Sequence, residues 1–252
     1  MNQIKIIYII IYIFFTILIK IIKVDGKAIT LRNTDDSFYN LNNIISSNQN
    51  DKELIINLPD DYYDMSLQPF TIDIAIMTNI KIIGNNNGTI FDYKNKYSGV
   101  FNVRFTQNKG ETVIIENIVF INLLEENKPR YGINFFYATA IDNTVKLVHA
   151  YHRNDIAAEN FDCSAISFKN CNFINNKGLF FSYNSQIYFD NCYISKLEKY
   201  SEPTMNNSTI DSTFYAQSGY DYVNIKNSFF ENINIKGTMP LIEGIVIQTM
   251  II

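Results

Sequence analysis

The sequence predicts an all-β fold of the parallel β-helix type, a solenoid in which successive laps of chain stack as parallel strands. The main observation is that four segments repeat one pattern, and a recurring supersecondary unit defines the architecture. The segments are VIIENIVFIN (113–122), AISFKNCNFINN (165–176), QIYFDNCYIS (186–195) and YVNIKNSFFENI (222–233). The composition agrees with a large β-rich core, since 47% of the 252 residues are hydrophobic and 14% are aromatic.

Each repeat contains an asparagine with apolar residues two and four places before it and another three places after it. The aligned asparagines are Asn117, Asn170, Asn191 and Asn227. The alternating apolar residues predict a strand with one buried face. The asparagine predicts a sharp corner, because it tolerates left-handed backbone angles. Stacked laps would place the asparagine side chains about 4.8 Å apart, so we expect them to form a hydrogen-bonded ladder.

Residues 1–26 have the pattern of a secretory signal peptide and are excluded from the fold. Lys5 precedes the apolar run 6–19, which is short for a membrane span, and Lys20 and Lys23 follow it. An uncleaved anchor over residues 4–22 is the alternative. The lysines after the run argue against an anchor with its N-terminus inside the cell.

Residues 27–50 contain the predicted N-terminal capping helix. The apolar residues of 34–48 that fall on one helical face are Phe38, Leu41, Ile44 and Ile45. Residues 33–36 are interpreted as the helix cap, with Asp36 or Ser37 at its start. A solenoid needs a cover with a polar outer side over its open hydrophobic end, and this helix would supply one.

Residues 51–252 are assigned to the β-helix. Its first strands are predicted at 53–58, 70–77, 79–84 and 89–91. Gly84 takes the corner place that asparagine holds in later laps, which we attribute to its tolerance of positive φ. Residues 123–161 are irregular, and the 53 residues from Asn117 to Asn170 would hold two laps with an insertion; residues 198–213 are predicted to be a second insertion. Residues 247–252 have strand character and no polar cap follows them, so we expect the β-helix to be truncated there.

Along the chain, a predicted helix is followed by the segments ELIINLPDDYYD, NIKIIGNNNGTIFDY and VIIENIVFIN. This order resembles the opening of right-handed parallel β-helices of the pectate-lyase-like superfamily. The resemblance covers residues 34–245 and implies a right-handed coil. Asp60 and Asp61 depart from it, because a glycine often stands there. Pectin hydrolases of this group carry Asn-Thr-Asp, Gly-Asp-Asp and Gly-His-Gly motifs. Here Asn33-Thr34-Asp35 lies before the first coil, the other two motifs are absent, and so is the arginine motif of pectate lyases.

No catalytic residue, metal site or cofactor is predicted. His149, His152, Arg153 and Asp155 form the densest ionisable cluster, which we interpret as a solvated loop, with a metal or catalytic role as the alternative. Calcium binding by Asp60, Asp61 and Asp64 in a turn is a similar alternative. The net charge of −4 and the lack of a basic patch argue against nucleic acid as a partner.

The cysteines and glycosylation motifs bear on the cellular compartment. Cys171 and Cys192 hold the same place in adjacent laps, and Cys163 is expected nearby. We predict buried thiols rather than a disulfide, because parallel Cβ vectors do not suit disulfide geometry. The Asn-X-Ser/Thr motifs for N-glycosylation, or sequons, begin at Asn87, Asn206 and Asn207.

Together these features predict a secreted or cell-surface β-helix, a non-catalytic scaffold that contacts carbohydrate or extracellular protein. Tyr193 and Phe229 follow corner asparagines, where they would stack on sugar rings or pack laterally against each other. The alternatives are a polysaccharide lyase or glycoside hydrolase with an unrecognised site, and a membrane-tethered coat protein if residues 1–22 are retained. The sequence leaves the oligomeric state open.

Overall fold

The computed structural model describes residues 26–69, 71–96, 98–105, 110–123, 136–140, 165–177, 180–183, 186–198, 214–216, 222–233, 242–243 and 247–250. In these residues the fold is mostly β, and every strand pair is parallel. The described helices are the α-helix α1 (Leu41–Ser47) and two 3-10 turns, Phe38–Asn40 and Met65–Leu67.

The strands form three sheets. Sheet 1 has eight strands: β1 (Gly26–Thr30), β2 (Glu53–Leu58), β5 (Asn79–Gly84), β8 (Thr112–Glu116), β11 (Ala165–Lys169), β14 (Gln186–Asp190), β17 (Tyr222–Lys226) and β20 (Ile247–Met250). Sheet 2 has six: β3 (Tyr62–Asp64), β6 (Thr89–Asp92), β9 (Ile118–Ile121), β12 (Asn172–Lys177), β15 (Tyr193–Glu198) and β18 (Phe229–Glu231). Sheet 3 also has six: β4 (Thr71–Ile76), β7 (Val100–Phe105), β10 (Phe136–Ala140), β13 (Phe180–Tyr183), β16 (Phe214–Ala216) and β19 (Ile242–Glu243).

From β2 onward, consecutive strands enter sheet 1, sheet 2 and sheet 3 in the same order, and each such set of three strands is one lap. The register places equivalent residues of successive laps side by side. Ile166, for example, lies beside Val113 on one side and Ile187 on the other. Each position of the repeat therefore forms a column that runs across a sheet.

The core consists of the inward columns of the three sheets. The two apolar residues before each corner are buried at Val113, Ile115, Ile166, Phe168, Ile187, Phe189 and Ile225. The residue three places after the corner is buried at Phe120, Phe173 and Ile194, and Phe230 is partly buried. Rings stack along these columns, with centroids 4.9 Å apart for Phe120 and Phe173 and 5.2 Å apart for Phe168 and Phe189. Such offset ring pairs add to the stability that burial gives.

The N-terminal end of the core is covered by α1 and the residues beside it. Leu41 and Ile45 are buried, as is Phe38 in the preceding 3-10 turn, whose ring lies 4.5 Å from that of Tyr63. The side chain of Gln49 binds the outer edge of β4: its Nε2 donates to Ala75 O (2.8 Å), and its Oε1 accepts from Met77 N (2.8 Å). An amide side chain therefore replaces a neighbouring strand on an edge that would otherwise be open.

Two details of this end differ from the sequence prediction. Residues 33–36 do not cap the helix, because the Asp35 carboxylate accepts from Arg32 N and the Asp60 carboxylate accepts from Asn33 N. Ser37 precedes the 3-10 turn, but its side chain makes no capping hydrogen bond. Strand β1 was not predicted; it begins at Gly26, the last residue assigned to the signal peptide, and pairs with β2 along its whole length.

The explanation of Gly84 by positive φ is wrong. Among the described glycines, Gly88, Gly99 and Gly110 have positive φ, and Gly84 does not. Gly84 is instead the last residue of β5, paired with Leu58 of β2. A Cβ added there would lie 2.2 Å from Asn117 O and 2.8 Å from Thr89 Cβ. The glycine is needed because the backbone of the next lap approaches too closely for any side chain.

We expect Gly84→Ala to destabilise the protein by about 1–3 kcal/mol, because the added methyl group overlaps backbone that cannot easily move. The free energy of unfolding, measured by urea denaturation, would show the loss. Asn86→Ala, in the exposed turn that follows, is the control and should change stability by less than about 0.5 kcal/mol. Equal effects of the two substitutions would contradict the steric explanation.

Candidate functional site

The outer face of sheet 2 is the candidate functional site. Its side chains form two columns that alternate with the inward residues of the same strands. The first column is Tyr62, Ile90, Val119, Asn172, Tyr193 and Phe229. The second is Asp64, Asp92, Ile121, Ile174, Ser195 and Glu231. The face is therefore ionisable at its N-terminal end, aliphatic in the middle and aromatic at its C-terminal end.

The aromatic end consists of Tyr193, Phe229 and Glu231. Phe229 is 70% exposed, the largest exposed fraction among the large hydrophobic residues described. Tyr193 lies beside it on the neighbouring strand and is half-buried. The Tyr193 hydroxyl donates to Glu231 Oε2 (2.6 Å), and Asn232 Nδ2 donates to the other carboxylate oxygen (3.3 Å). An exposed ring thus stands next to a carboxylate that two hydrogen bonds hold in place.

The ionisable end brings Tyr62, Asp64, Asp92 and Lys94 together from neighbouring laps. Lys94 forms an ion pair with Asp64, and the Tyr62 hydroxyl donates to Asp92 Oδ2 (3.2 Å). Asp92 Oδ1 accepts from Lys94 N (2.9 Å) and from Asn122 Nδ2 (3.0 Å). Each carboxylate is therefore compensated by its own donors.

The pKa directions of Asp64, Lys94 and Tyr62 are not those of a proton-donating carboxyl or of a basic lysine or tyrosine. Partial burial opposes ionisation of Asp64, but hydrogen bonds from Lys94 and Ser66 outweigh it and lower the pKa of Asp64. The hydrogen bond with Asp64 raises the pKa of Lys94, while burial and the Asp92 carboxylate raise the pKa of Tyr62. A general acid would need a carboxyl of raised pKa, and a base would need a lysine or tyrosine of lowered pKa.

The predicted corner asparagines lie in one column at the end of the sheet 1 strands. Their φ angles are 57° at Asn117, 52° at Asn170, 54° at Asn191 and 51° at Asn227. Asn170 Nδ2 donates to Asn117 Oδ1 (3.2 Å), and Asn191 Nδ2 donates to Asn170 Oδ1 (2.8 Å). Asn227 leaves this ladder, because its Nδ2 donates to Asp190 Oδ1 (3.0 Å) instead of Asn191.

A second column of left-handed residues, which the sequence analysis missed, lies five residues further on. It contains Asn122, Asn175, Lys196 and Asn232, with φ between 50° and 62°. Asn175 Nδ2 donates to Asn122 Oδ1 (2.8 Å), and Asn122 in turn donates to Asp92. The spacing of five residues between asparagines in three of the four repeats was the available signal.

We expect Asn170→Ala to lower the free energy of unfolding by about 2 kcal/mol, because it loses both ladder bonds and the tolerance of positive φ. Asn170→Gly keeps that tolerance and should cost only about 1 kcal/mol. Urea denaturation of the two variants separates the contributions. A glycine variant as unstable as the alanine variant would show that backbone conformation contributes nothing.

Cys171 and Cys192 are free and buried, in the column that directly follows the corner. Each thiol lies within hydrogen-bonding distance of a carbonyl in the preceding lap: Cys171 of Ile115 O (3.4 Å) and Cys192 of Phe168 O (3.5 Å). Burial raises the pKa of Cys192 to about 11 and raises the pKa of Cys171 well above its ordinary value. Thiols of this kind pack as small hydrophobic groups and react poorly.

We expect Cys171 and Cys192 to resist alkylation by iodoacetamide at pH 8 in the native protein, because almost none of either thiol is ionised or accessible. Both should be modified fully in denaturant. Peptide mapping by mass spectrometry reports each cysteine separately. Rapid labelling of either residue under native conditions would contradict the packing described.

The remaining predicted site residues are placed as follows. His149, His152, Arg153, Asp155, Asn206, Asn207 and Cys163 lie outside the described residues. Asn87 lies in an exposed turn after β5. Asp60 binds Arg32, Asp61 accepts from Asn85 Nδ2, and Asp64 binds Lys94, so these three carboxylates do not converge. In the part of the chain that the structure describes, no group of three His, Cys, Asp or Glu residues is arranged to hold a metal ion.

Comparisons with protein-family models, with curated proteins and with solved structures each gave no match. Nothing in them identifies a pectate-lyase-like superfamily. Within the described ranges, no helix has the length and apolar character needed to cross a membrane.

Proposed function

We propose that the chain is a right-handed parallel β-helix that resembles the pectate-lyase-like superfamily. The constant order in which strands enter the three parallel sheets supports this fold, as do the stacked columns of corner residues. A right-handed path is expected because connections between parallel strands are almost always right-handed. The fold alone implies no activity, so function has to be argued from the outer face of sheet 2.

The function that we propose is a non-catalytic scaffold, secreted or displayed on the cell surface, that contacts carbohydrate or extracellular protein through the outer face of sheet 2. The observation that carries the proposal is Phe229, a ring 70% exposed beside Tyr193 and Glu231. Aromatic rings with a polar group at hand are typical of contact surfaces. The apolar C–H face of a sugar ring packs on such a ring, and the fixed carboxylate accepts hydrogen bonds from sugar hydroxyls.

A polysaccharide lyase or glycoside hydrolase is the alternative, favoured by the convergence of Asp64, Asp92 and Lys94 from neighbouring laps. Glycosidases use paired carboxylates, one of which must hold a proton. The lowered pKa of Asp64 and the raised pKa of Lys94 argue against this role for the cluster.

The extracellular location rests on the interpretation of residues 1–26 as a signal peptide. The last of these residues, Gly26, is also the first residue of strand β1. If the segment is instead retained, the same scaffold would be tethered to a membrane as a coat protein. The outer face of sheet 2 would serve either arrangement.

We expect the full chain to bind a carbohydrate on a glycan array, and Phe229→Ala to weaken that binding at least tenfold through loss of the exposed ring. Leu67→Ala is the matched control. Leu67 is 59% exposed in a 3-10 turn outside sheet 2, so its removal should leave affinity unchanged.

A parallel assay for polysaccharide degradation separates the candidate functions. Binding without product supports the scaffold. New reducing ends or unsaturated products would establish an enzyme and overturn the non-catalytic proposal. A folded protein that binds no glycan would refute the proposal that the scaffold contacts carbohydrate. Contact with an extracellular protein would then remain, and Phe229→Ala is the variant that tests it.

A further inference from the structure

We propose that Asn87 is an N-glycosylation site that accepts its glycan only before the surrounding chain has folded. The proposal rests on the passage through the secretory pathway proposed above. In the reaction, Asn87 Nδ2 bonds to the anomeric carbon of a lipid-diphosphate-linked oligosaccharide. The bond from that carbon to the diphosphate breaks, the lipid diphosphate leaves, and the amide loses one proton.

The acceptor side chain is well placed to carry a glycan in the folded protein. Asn87 is exposed in the turn between β5 and β6, where its backbone N–H donates to Asn85 Oδ1 (2.9 Å). Within the described ranges its side-chain amide makes no hydrogen bond, so a glycan there disrupts no contact. The sequon Asn87-Gly88-Thr89 supplies the motif that the transferring enzyme recognises.

The third residue of the sequon is inaccessible once the protein has folded. Thr89 is fully buried, and its hydroxyl lies 3.1 Å from Leu58 O and 3.0 Å from Asp60 O. The same oxygen accepts from Asn85 N (2.9 Å). An enzyme that must contact this hydroxyl while it modifies Asn87 cannot do so in the folded state. Glycan transfer therefore has to precede the docking of β6 against β3.

The position of the turn determines which surface the glycan would cover. A Cβ added at Gly88 would lie 3.3 Å from Val119 Cγ2, so the turn borders the aliphatic middle of the outer face of sheet 2. Phe229 lies three strands further along the same column, about 14 Å away at ordinary strand spacing. A glycan at Asn87 would shield the middle of the face and leave its aromatic end open.

The first experiment translates the full chain, behind a strong secretory leader, in the presence of endoplasmic-reticulum microsomes. The wild type should carry one glycan more than the Asn87→Gln variant. The extra glycan should slow its migration in gel electrophoresis, and treatment with endoglycosidase should remove the difference. The leader makes entry independent of residues 1–26, so failure of the signal-peptide proposal does not affect this result. Imported chains in which Asn87 is unmodified by peptide mapping would overturn the inference.

The second experiment tests the timing. Purified full chain without glycans is incubated with detergent-solubilised transferase and the lipid-linked donor. One sample is folded, and the other is unfolded in urea and then diluted into the reaction. We expect modification of Asn87 at least tenfold faster in the unfolded sample. Thr89→Ser, which keeps the sequon, should behave in the same way, and Thr89→Val should abolish modification in both samples. Equal rates for folded and unfolded wild type would overturn the claim that Thr89 must be released.

Discussion

The left-handed corner that follows β8, β11, β14 and β17 of sheet 1 is the constraint on which the rest of the repeat depends. A single residue with φ near 55° turns the chain between sheets 1 and 2, so the residue two places before it and the residue three places after it both point into the core. Phe168 and Phe173 on either side of Asn170 show the result, since both are fully buried and their rings lie 5.5 Å apart. Asparagine suits the corner because it tolerates this backbone conformation and its amide can pair with the next lap.

The same register explains where the corner rule fails. In the lap that contains β5 the corner position holds Gly84, whose backbone is extended and whose missing side chain makes room for the carbonyl of Asn117. Thr89 then occupies the space inside, and its hydroxyl binds carbonyl groups of the preceding lap. One corner of the fold is therefore built by close backbone approach and a buried hydroxyl rather than by an asparagine ladder.

Much of the regular structure could be predicted from the sequence, because it follows local patterns. The bounds of β2 and β5, the inward positions of the four repeats and the buried face of α1 are all visible as alternating or helical apolar periodicity. Strand β1 was missed because its short sequence, GKAIT, gains its strand conformation from pairing with β2. The hydrogen bonds from the Asn33 side chain to Tyr62 O and from the Gln49 side chain to Ala75 O could not be foreseen, because each joins an edge strand that is distant in sequence.

The candidate site was predictable at Tyr193 and Phe229, which the repeat alignment identifies. It was not predictable at Tyr62, Asp64 and Lys94, because only the stacking of laps brings these residues together.

The division of each strand into inward and outward residues also separates stability from function. Inward columns are mostly apolar, because each side chain packs against the same position in the neighbouring laps; Thr89 is a buried exception whose hydroxyl is hydrogen-bonded. Outward columns are free of this requirement: the column of Phe229 also contains an asparagine, a valine and an isoleucine. The fold therefore does not require an aromatic ring at position 229. At the other end of the face the charges are compensated by an ion pair and hydrogen bonds, whereas the ring of Phe229 remains 70% exposed. We therefore base the proposed contact surface on this exposed ring, which the fold does not demand, rather than on the ionisable cluster.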